Sequence, residues 1–138
     1  MKGREHTWNG DGRMNKGTTI AIIGASTNRD KFGNKAVRAY VKQGYTVYPV
    51  TPSADEVEGL KAYKSIRDIP GEVELASLYV PPPVGLKVLG EIAEKKVREV
   101  YVNPGAESDE LIEKARELGL RAIVACSILA IGMTPEEV

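Results

Sequence analysis

Five short runs rich in β-branched and aromatic residues recur along the chain, and segments with a helical apolar period fill the gaps between them. The runs are TTIAII (18–23), YTVYPV (45–50), ELASLYV (74–80), VREVYV (97–102) and LRAIVA (120–125), so successive starts lie 23 to 29 residues apart. That spacing is the length of one strand plus one crossover helix. The first and third runs are apolar almost throughout, the pattern of strands covered on both faces.

The intervening segments carry helix signals. Residues 34–43 place Val37, Tyr40 and Val41 at i, i+3 and i+4 and stop at Gly44, a good residue for the position after a helix. Residues 84–95 put Val84, Val88, Leu89 and Ile92 on one stripe, with Pro83 suited to the first turn. Ser108 reads as the N-cap of 109–118, where Leu111, Ile112, Ala115 and Leu118 share a face and Gly119 closes the helix. Residues 64–69 read as a short helical turn after a small extended piece around Ala62 and Tyr63. Such alternation predicts a parallel sheet with helices on both faces. The expected fold is a single Rossmann-like, three-layer α/β/α domain over residues 18–138. Its five parallel strands take the order 3-2-1-4-5, with the third run beyond the second. Residues 1–17, rich in Gly, Asn and charge, read as a flexible arm carrying His6 and Trp8, with Met14 as an alternative start.

Composition narrows the chemistry. The 138 residues are 42% hydrophobic and 28% charged, the balance of one soluble globular domain. Lys+Arg and Asp+Glu each number 19, which argues against holding nucleic acid by bulk charge. One cysteine, Cys126, permits neither an intrachain disulfide nor a Cys-rich zinc site. The single histidine lies in the arm, so a Ser-His-Asp site or a multi-His metal site in the folded body is ruled out. No apolar run approaches the roughly 18–20 residues that span a bilayer. The start, MKGREHTWNGDGR, lacks the apolar core of a secretory signal, so a cytoplasmic, reduced location is expected. Gln43 is the only glutamine and Lys and Glu are plentiful, a composition seen in thermophiles.

In open α/β sheets the ligand crevice lies at the C-terminal strand ends, where the strand order reverses. The loop after the first run reads GASTNRDKFG (24–33). Gly24, Ala25 and Ser26 are small enough for close backbone approach to a ligand. The loop feeds a helix N-terminus, which favours an anion. Ser26, Thr27 and Asn28 offer hydrogen bonds to phosphate oxygens, and Arg29 and Lys31 add positive charge. The alternative is an ordinary strand-to-helix turn with surface charges. The loop is not the dinucleotide fingerprint, which would require glycine at Ser26, nor a P-loop, which would require GK followed by Ser or Thr. The second run ends in Val50, Thr51 and Pro52 instead of the acidic residue that binds a dinucleotide ribose. A pocket bounded by Val50 and Pro52 suits an adenine ring held by contact.

Pro81, Pro82 and Pro83 form a stiff segment without donors after the third run, either a rigid connection or a wall against adenosine. Asn103, Pro104 and Gly105 end the fourth run, as a rim of the crevice or as a plain loop. Cys126 reads as a buried small hydrophobe more than as a nucleophile. Charge runs such as Glu94-Lys95-Lys96 are solvated helix faces. No paired carboxylates are evident.

IIGAS (22–26), DKFGN (30–34), GYTVYPVTP (44–52), EGLKAYKSIRDIP (58–70), VPP (80–82) and NPGAES (103–108) together resemble the small stand-alone CoA-binding proteins. That family is related to the CoA-binding domain of the succinyl-CoA synthetase alpha subunit and of the NDP-forming acyl-CoA synthetases. The resemblance covers about residues 18–127 and implies a Rossmann-like fold that binds CoA or an acyl-CoA. By the same resemblance, Gly24, Ala25, Ser26, Thr27 and Asn28 match the loop that holds the phosphates. Lys31, Phe32 and Asn34 match the positions that close over it. Val50, Thr51 and Pro52 match the adenine side, and Val80, Pro81 and Pro82 the wall after the third run. Asn103, Pro104 and Gly105 match the loop that meets pantetheine.

The chain departs from the family in carrying Ser53 and Ala54 where a lysine often follows the second-run proline. The phosphohistidine of the larger synthetases sits on a domain that these residues do not contain. The expectation is therefore CoA binding without catalysis and without metal, nucleic-acid or membrane partners. The alternatives are an enzyme dependent on NAD(P) or acyl-CoA, or a regulatory or partner subunit of an acyl-CoA synthetase. The apolar tail CSILAIG (126–132) leaves room for a homodimer contact.

Overall fold

The computed structural model describes residues 17–138. The expected arm, with His6, Trp8 and Met14, lies outside the described residues except for Gly17. In chain order the elements are β1 (Thr19–Ile23), α1 (Phe32–Lys42), β2 (Thr46–Val50), the two-residue strands β3 (Glu56–Val57) and β4 (Leu60–Lys61), and a 3-10 turn at Ile66–Asp68. There follow β5 (Leu75–Leu78), α2 (Pro82–Glu94), β6 (Glu99–Val102), α3 (Asp109–Glu117), β7 (Arg121–Val124), α4 (Ser127–Ala130) and a 3-10 turn at Pro135–Glu137.

The main sheet is parallel and five-stranded, in the order β2-β1-β5-β6-β7. The five-stranded parallel sheet and the reversal beside β1 are as expected. One run sits elsewhere than anticipated: 74–80, as β5, pairs directly with β1 instead of lying beyond β2. All four residues of β5 are buried, so an edge position would waste its apolar faces. The third place is filled by the small extended piece, where Tyr63 makes a parallel bridge to Val50. Tyr63 N–H donates to the Pro49 carbonyl and Thr51 N–H to the Tyr63 carbonyl, each at 2.9 Å. Pro49 thus turns its donor-free nitrogen to the outer side of β2, where a strand tolerates proline.

Alternation along β1 divides the core. Ile20 and Ile22 pack under α1 and α4, whereas Ala21 and Ile23 pack under α2 and α3. Pro82 and Pro83 occupy the first turn of α2, and the Ser108 hydroxyl caps α3 by accepting from Leu111 N–H at 3.0 Å. The tail folds back on its own domain. Ile128, Ile131 and Met133 are buried in the cluster that contains Tyr40 of α1. Tyr40 Oη donates to the Ser127 carbonyl at 2.8 Å, and Gln43 Nε2 to the Ile131 carbonyl at 3.0 Å. The apolar surface that gave a reason for a homodimer is therefore mostly covered within the chain, with Leu129 and Ala130 the exposed exceptions.

Candidate functional site

A crevice of about 770 Å³ opens at the C-terminal ends of β1, β5 and β6. It brings together Gly24, Ala25, Ser26, Lys31, Phe32, Thr51, Val80, Pro81, Asn103, Pro104 and Gly105 of the residues singled out from sequence. Asp30, Gly33, Ser53, Tyr79, Ala106 and Cys126 line it as well.

The bank on the β1 side is backbone laid on backbone. Gly24 has φ +95°, and a Cβ there would lie 2.4 Å from the Tyr79 carbonyl oxygen. A Cβ on Gly33 would lie 2.1 Å from the Gly24 carbonyl oxygen. Only glycine at both positions lets the first turn of α1 settle on the strand end. That turn starts at Lys31 with no side-chain cap and no acidic residue in its first turn. The N–H groups of Phe32 and Gly33 come too early in the helix to find an acceptor within it. The other helix starts differ. Pro82 and Pro83 give α2 no donors at its first two positions, and α3 is capped by Ser108 with Asp109 and Glu110 in its first turn. Among α1, α2 and α3, an anion at the crevice therefore meets a receptive helix end at α1; the four-residue α4 also begins there without a side-chain cap, but its first N–H is already donated to Asn103 Oδ1.

Six expected residues do not line the crevice. Thr27 and Asn28 are exposed on the outer turn of the loop, where Asn28 Oδ1 accepts from Asp30 N–H at 2.9 Å. The Ser26 hydroxyl accepts from Asn28 N–H at 3.0 Å, so the loop meets part of its own hydrogen-bonding need. Val50 is core, and its carbonyl takes the N–H groups of Gly24 and Ala25. Pro52 points outward, and its carbonyl accepts from Lys64 Nζ at 3.2 Å. Pro82 belongs to the first turn of α2, leaving Val80 and Pro81 as the wall. Asn34 is fully buried behind the loop and bonds the Ser26 carbonyl through Nδ2 at 2.8 Å. Arg29, which sequence assigns to the phosphates, is paired with Glu58 at 3.3 Å and lies off the crevice.

The floor is a buried polar network. Asn103 Nδ2 donates to Ser77 Oγ and to the Leu78 carbonyl, and its Oδ1 accepts from Ser127 N–H, all at 2.8 Å. Ser127 Oγ shares hydrogen bonds with Ser77 Oγ at 2.8 Å and with Tyr79 Oη at 2.9 Å. Burial pushes the Tyr79 hydroxyl up to about 12, against the lowering effect of Ser127. It stays neutral at physiological pH and serves as a hydrogen-bonding group. On the β6 bank, Gly105 N–H donates to Glu107 Oε1 at 2.7 Å, which fixes the Asn103-Pro104-Gly105 turn.

The fold and crevice define a Rossmann-like α/β domain with an open crevice at its C-terminal strand ends, where an uncapped helix N-terminus meets apolar and neutral polar side chains. A family profile described as "CoA binding domain" matches residues 18–132, and the chain belongs to that family. It is 39% identical over 115 residues to the alpha subunit of acetate–CoA ligase [ADP-forming] II of Pyrococcus furiosus, covering 75% of this chain and 25% of the ligase subunit. Two further ADP-forming acetate–CoA ligases, from Methanocaldococcus jannaschii and Archaeoglobus fulgidus, are 34% and 33% identical. The chain spans only 15% and 17% of their lengths. Among solved structures, a conserved hypothetical protein from Pyrococcus furiosus superposes with a TM-score of 0.76 at 36% identity, over 82% of this chain and 98% of that one. No helix among the described residues is long and apolar enough to cross a membrane.

Proposed function

We propose that this domain binds CoA or an acyl-CoA and has no catalytic apparatus of its own. The diphosphate rests on the loop after β1 and the uncapped start of α1. Lys31 offsets its charge, and Phe32 and Pro81 supply apolar contact. The adenosine lies toward Thr51 and Ser53, and the pantetheine runs along Asn103, Pro104 and Gly105. The observation that carries this reading is the coincidence of three features in one crevice: an uncapped helix N-terminus, Lys31 beside it, and a floor of neutral polar groups.

Isothermal titration of the purified chain with CoA tests it, with NADH as the competing nucleotide. CoA binding that weakens with added salt, and no NADH binding, is the expected result. Lys31→Ala should weaken CoA binding by about 1–2 kcal/mol, the range of a charge-assisted hydrogen bond. Equal affinity for parent and variant would remove Lys31 from the site.

A further inference from the structure

We propose that Glu58, at the tip of the β3–β4 hairpin, is the positioning residue of the loop after β1, and that its charge competes with an incoming phosphate for Arg29. The competition rests on the CoA reading above; the positioning does not.

The hairpin turns through Glu58 and Gly59, with φ of 51° and 78°. A side chain at positive φ is uncommon, and this one reaches across to α1. Its two oxygens take different partners. Oε2 accepts from Asn34 Nδ2 at 3.0 Å, and Oε1 accepts from Arg29 Nη1 at 3.3 Å. The same Asn34 nitrogen donates to the Ser26 carbonyl at 2.8 Å. Asn34 Oδ1 accepts from Arg38 Nε, and Arg38 Nη2 donates to the Arg29 carbonyl, both at 2.7 Å. One carboxylate thus holds the loop at two points, at Ser26 through Asn34 and at Arg29 directly. The Ser26 carbonyl is thereby engaged by α1, where it does not oppose an anion.

The two attachments differ in strength. Asn34 is fully buried, so its bonds are not exchanged for water. The Arg29 and Glu58 side chains are 64% and 22% exposed and touch through one pair of atoms, a contact that contributes little. Arg29 itself lies off the crevice, paired with Glu58, but the next two residues, Asp30 and Lys31, line it. A diphosphate at that site offers the guanidinium a stronger, two-pronged partner than the single carboxylate oxygen.

The full chain and its Glu58→Gln and Glu58→Ala variants separate these roles. Glutamine keeps an oxygen for Asn34 but no charge for Arg29; alanine keeps neither. In the ligand-free protein, amide exchange at residues 26–31 should quicken about tenfold in E58A and stay near the parent rate in E58Q. In titration, E58Q should bind CoA about two- to fivefold tighter than the parent at low salt. That gain should vanish at high salt and in the R29A/E58Q double variant, measured against R29A. A glutamate that merely holds the fold together would leave E58Q binding unchanged or weakened. Unchanged exchange in E58A, or E58Q binding no tighter than the parent, overturns the proposal. If no form binds CoA yet exchange behaves as described, positioning stands, and the competition falls together with the CoA reading.

Discussion

Gly33 and Gly24 meet where a methyl group has no room. The atoms that a Gly33 side chain would strike are backbone, which cannot rotate aside. Gly33→Ala should therefore cost about 2–3 kcal/mol in urea denaturation, the range of overpacking, and should lower CoA affinity with it. Gly90 is the control. It lies within α2 with nothing near its missing side chain, so Gly90→Ala should stabilise by about 0.5–1 kcal/mol through helix propensity. A Gly33 variant as stable as the parent would show that the loop can retreat from the helix. The residue scale also shows why Asn34 is easy to misplace. Its spacing from the loop fits a residue that closes over a ligand, yet the Ser26 carbonyl and Glu58 behind the loop need its amide more.

At the scale of elements, the long periodic segments were legible from sequence, as were the short turn at Ile66–Asp68 and the extended piece at Tyr63, whereas the β3–β4 hairpin and α4 were not. The ends of α1, α2 and α3 fall within two residues of the positions that the apolar stripes and caps indicate. The β3–β4 hairpin has two-residue strands, too short to show alternation, although the Glu58-Gly59 pair is turn-like. α4 has four residues and no capping side chain, so its sequence reads only as an apolar tail. Strand neighbours are a tertiary matter. The two-sided burial of β5 decides its place in the sheet, and its pattern alone does not name the neighbour. The crevice follows the same division. Gly24, Lys31 and Asn103 sit at strand or helix ends and were found by that rule. Tyr79 and Ser53 line the crevice without any local motif. The tail gives this scale its prediction. Ile128 is fully buried against α1, so Ile128→Ala should cost about 2–4 kcal/mol, read as a lower denaturation midpoint. A change below about 1 kcal/mol, the range of an ordinary surface substitution, would place the tail outside the cooperative unit.

Tyr40, Tyr45 and Tyr101 are buried and Tyr79 is partly so, and the buried hydroxyls bear on the alkaline limit of the whole molecule. Burial raises Tyr79 from 10.0 to about 12; Tyr40 is raised well above its ordinary value, by burial first and then by Tyr101, Tyr45 and Tyr79. Below pH 10 these hydroxyls are protonated in both folded and unfolded chains, and their contribution is complete. Above pH 10 the unfolded chain loses protons that the folded one retains, so stability falls as pH rises to about 12. Tyr79 alone should account for about 2–3 kcal/mol of that fall, at 1.36 kcal/mol per unit. Guanidinium titrations at pH 9 and at pH 11.5 should show the loss, and Tyr79→Phe should reduce it. A midpoint independent of pH over that interval would mean that these rings reach solvent in the folded state.

Ser127 is anchored on both sides of the domain, its carbonyl to Tyr40 on α1 and its N–H to Asn103 at the end of β6. One residue thus stitches the helix shore of the inlet to its β6 shore, and drawing α1 away from β6 cannot leave both bonds intact.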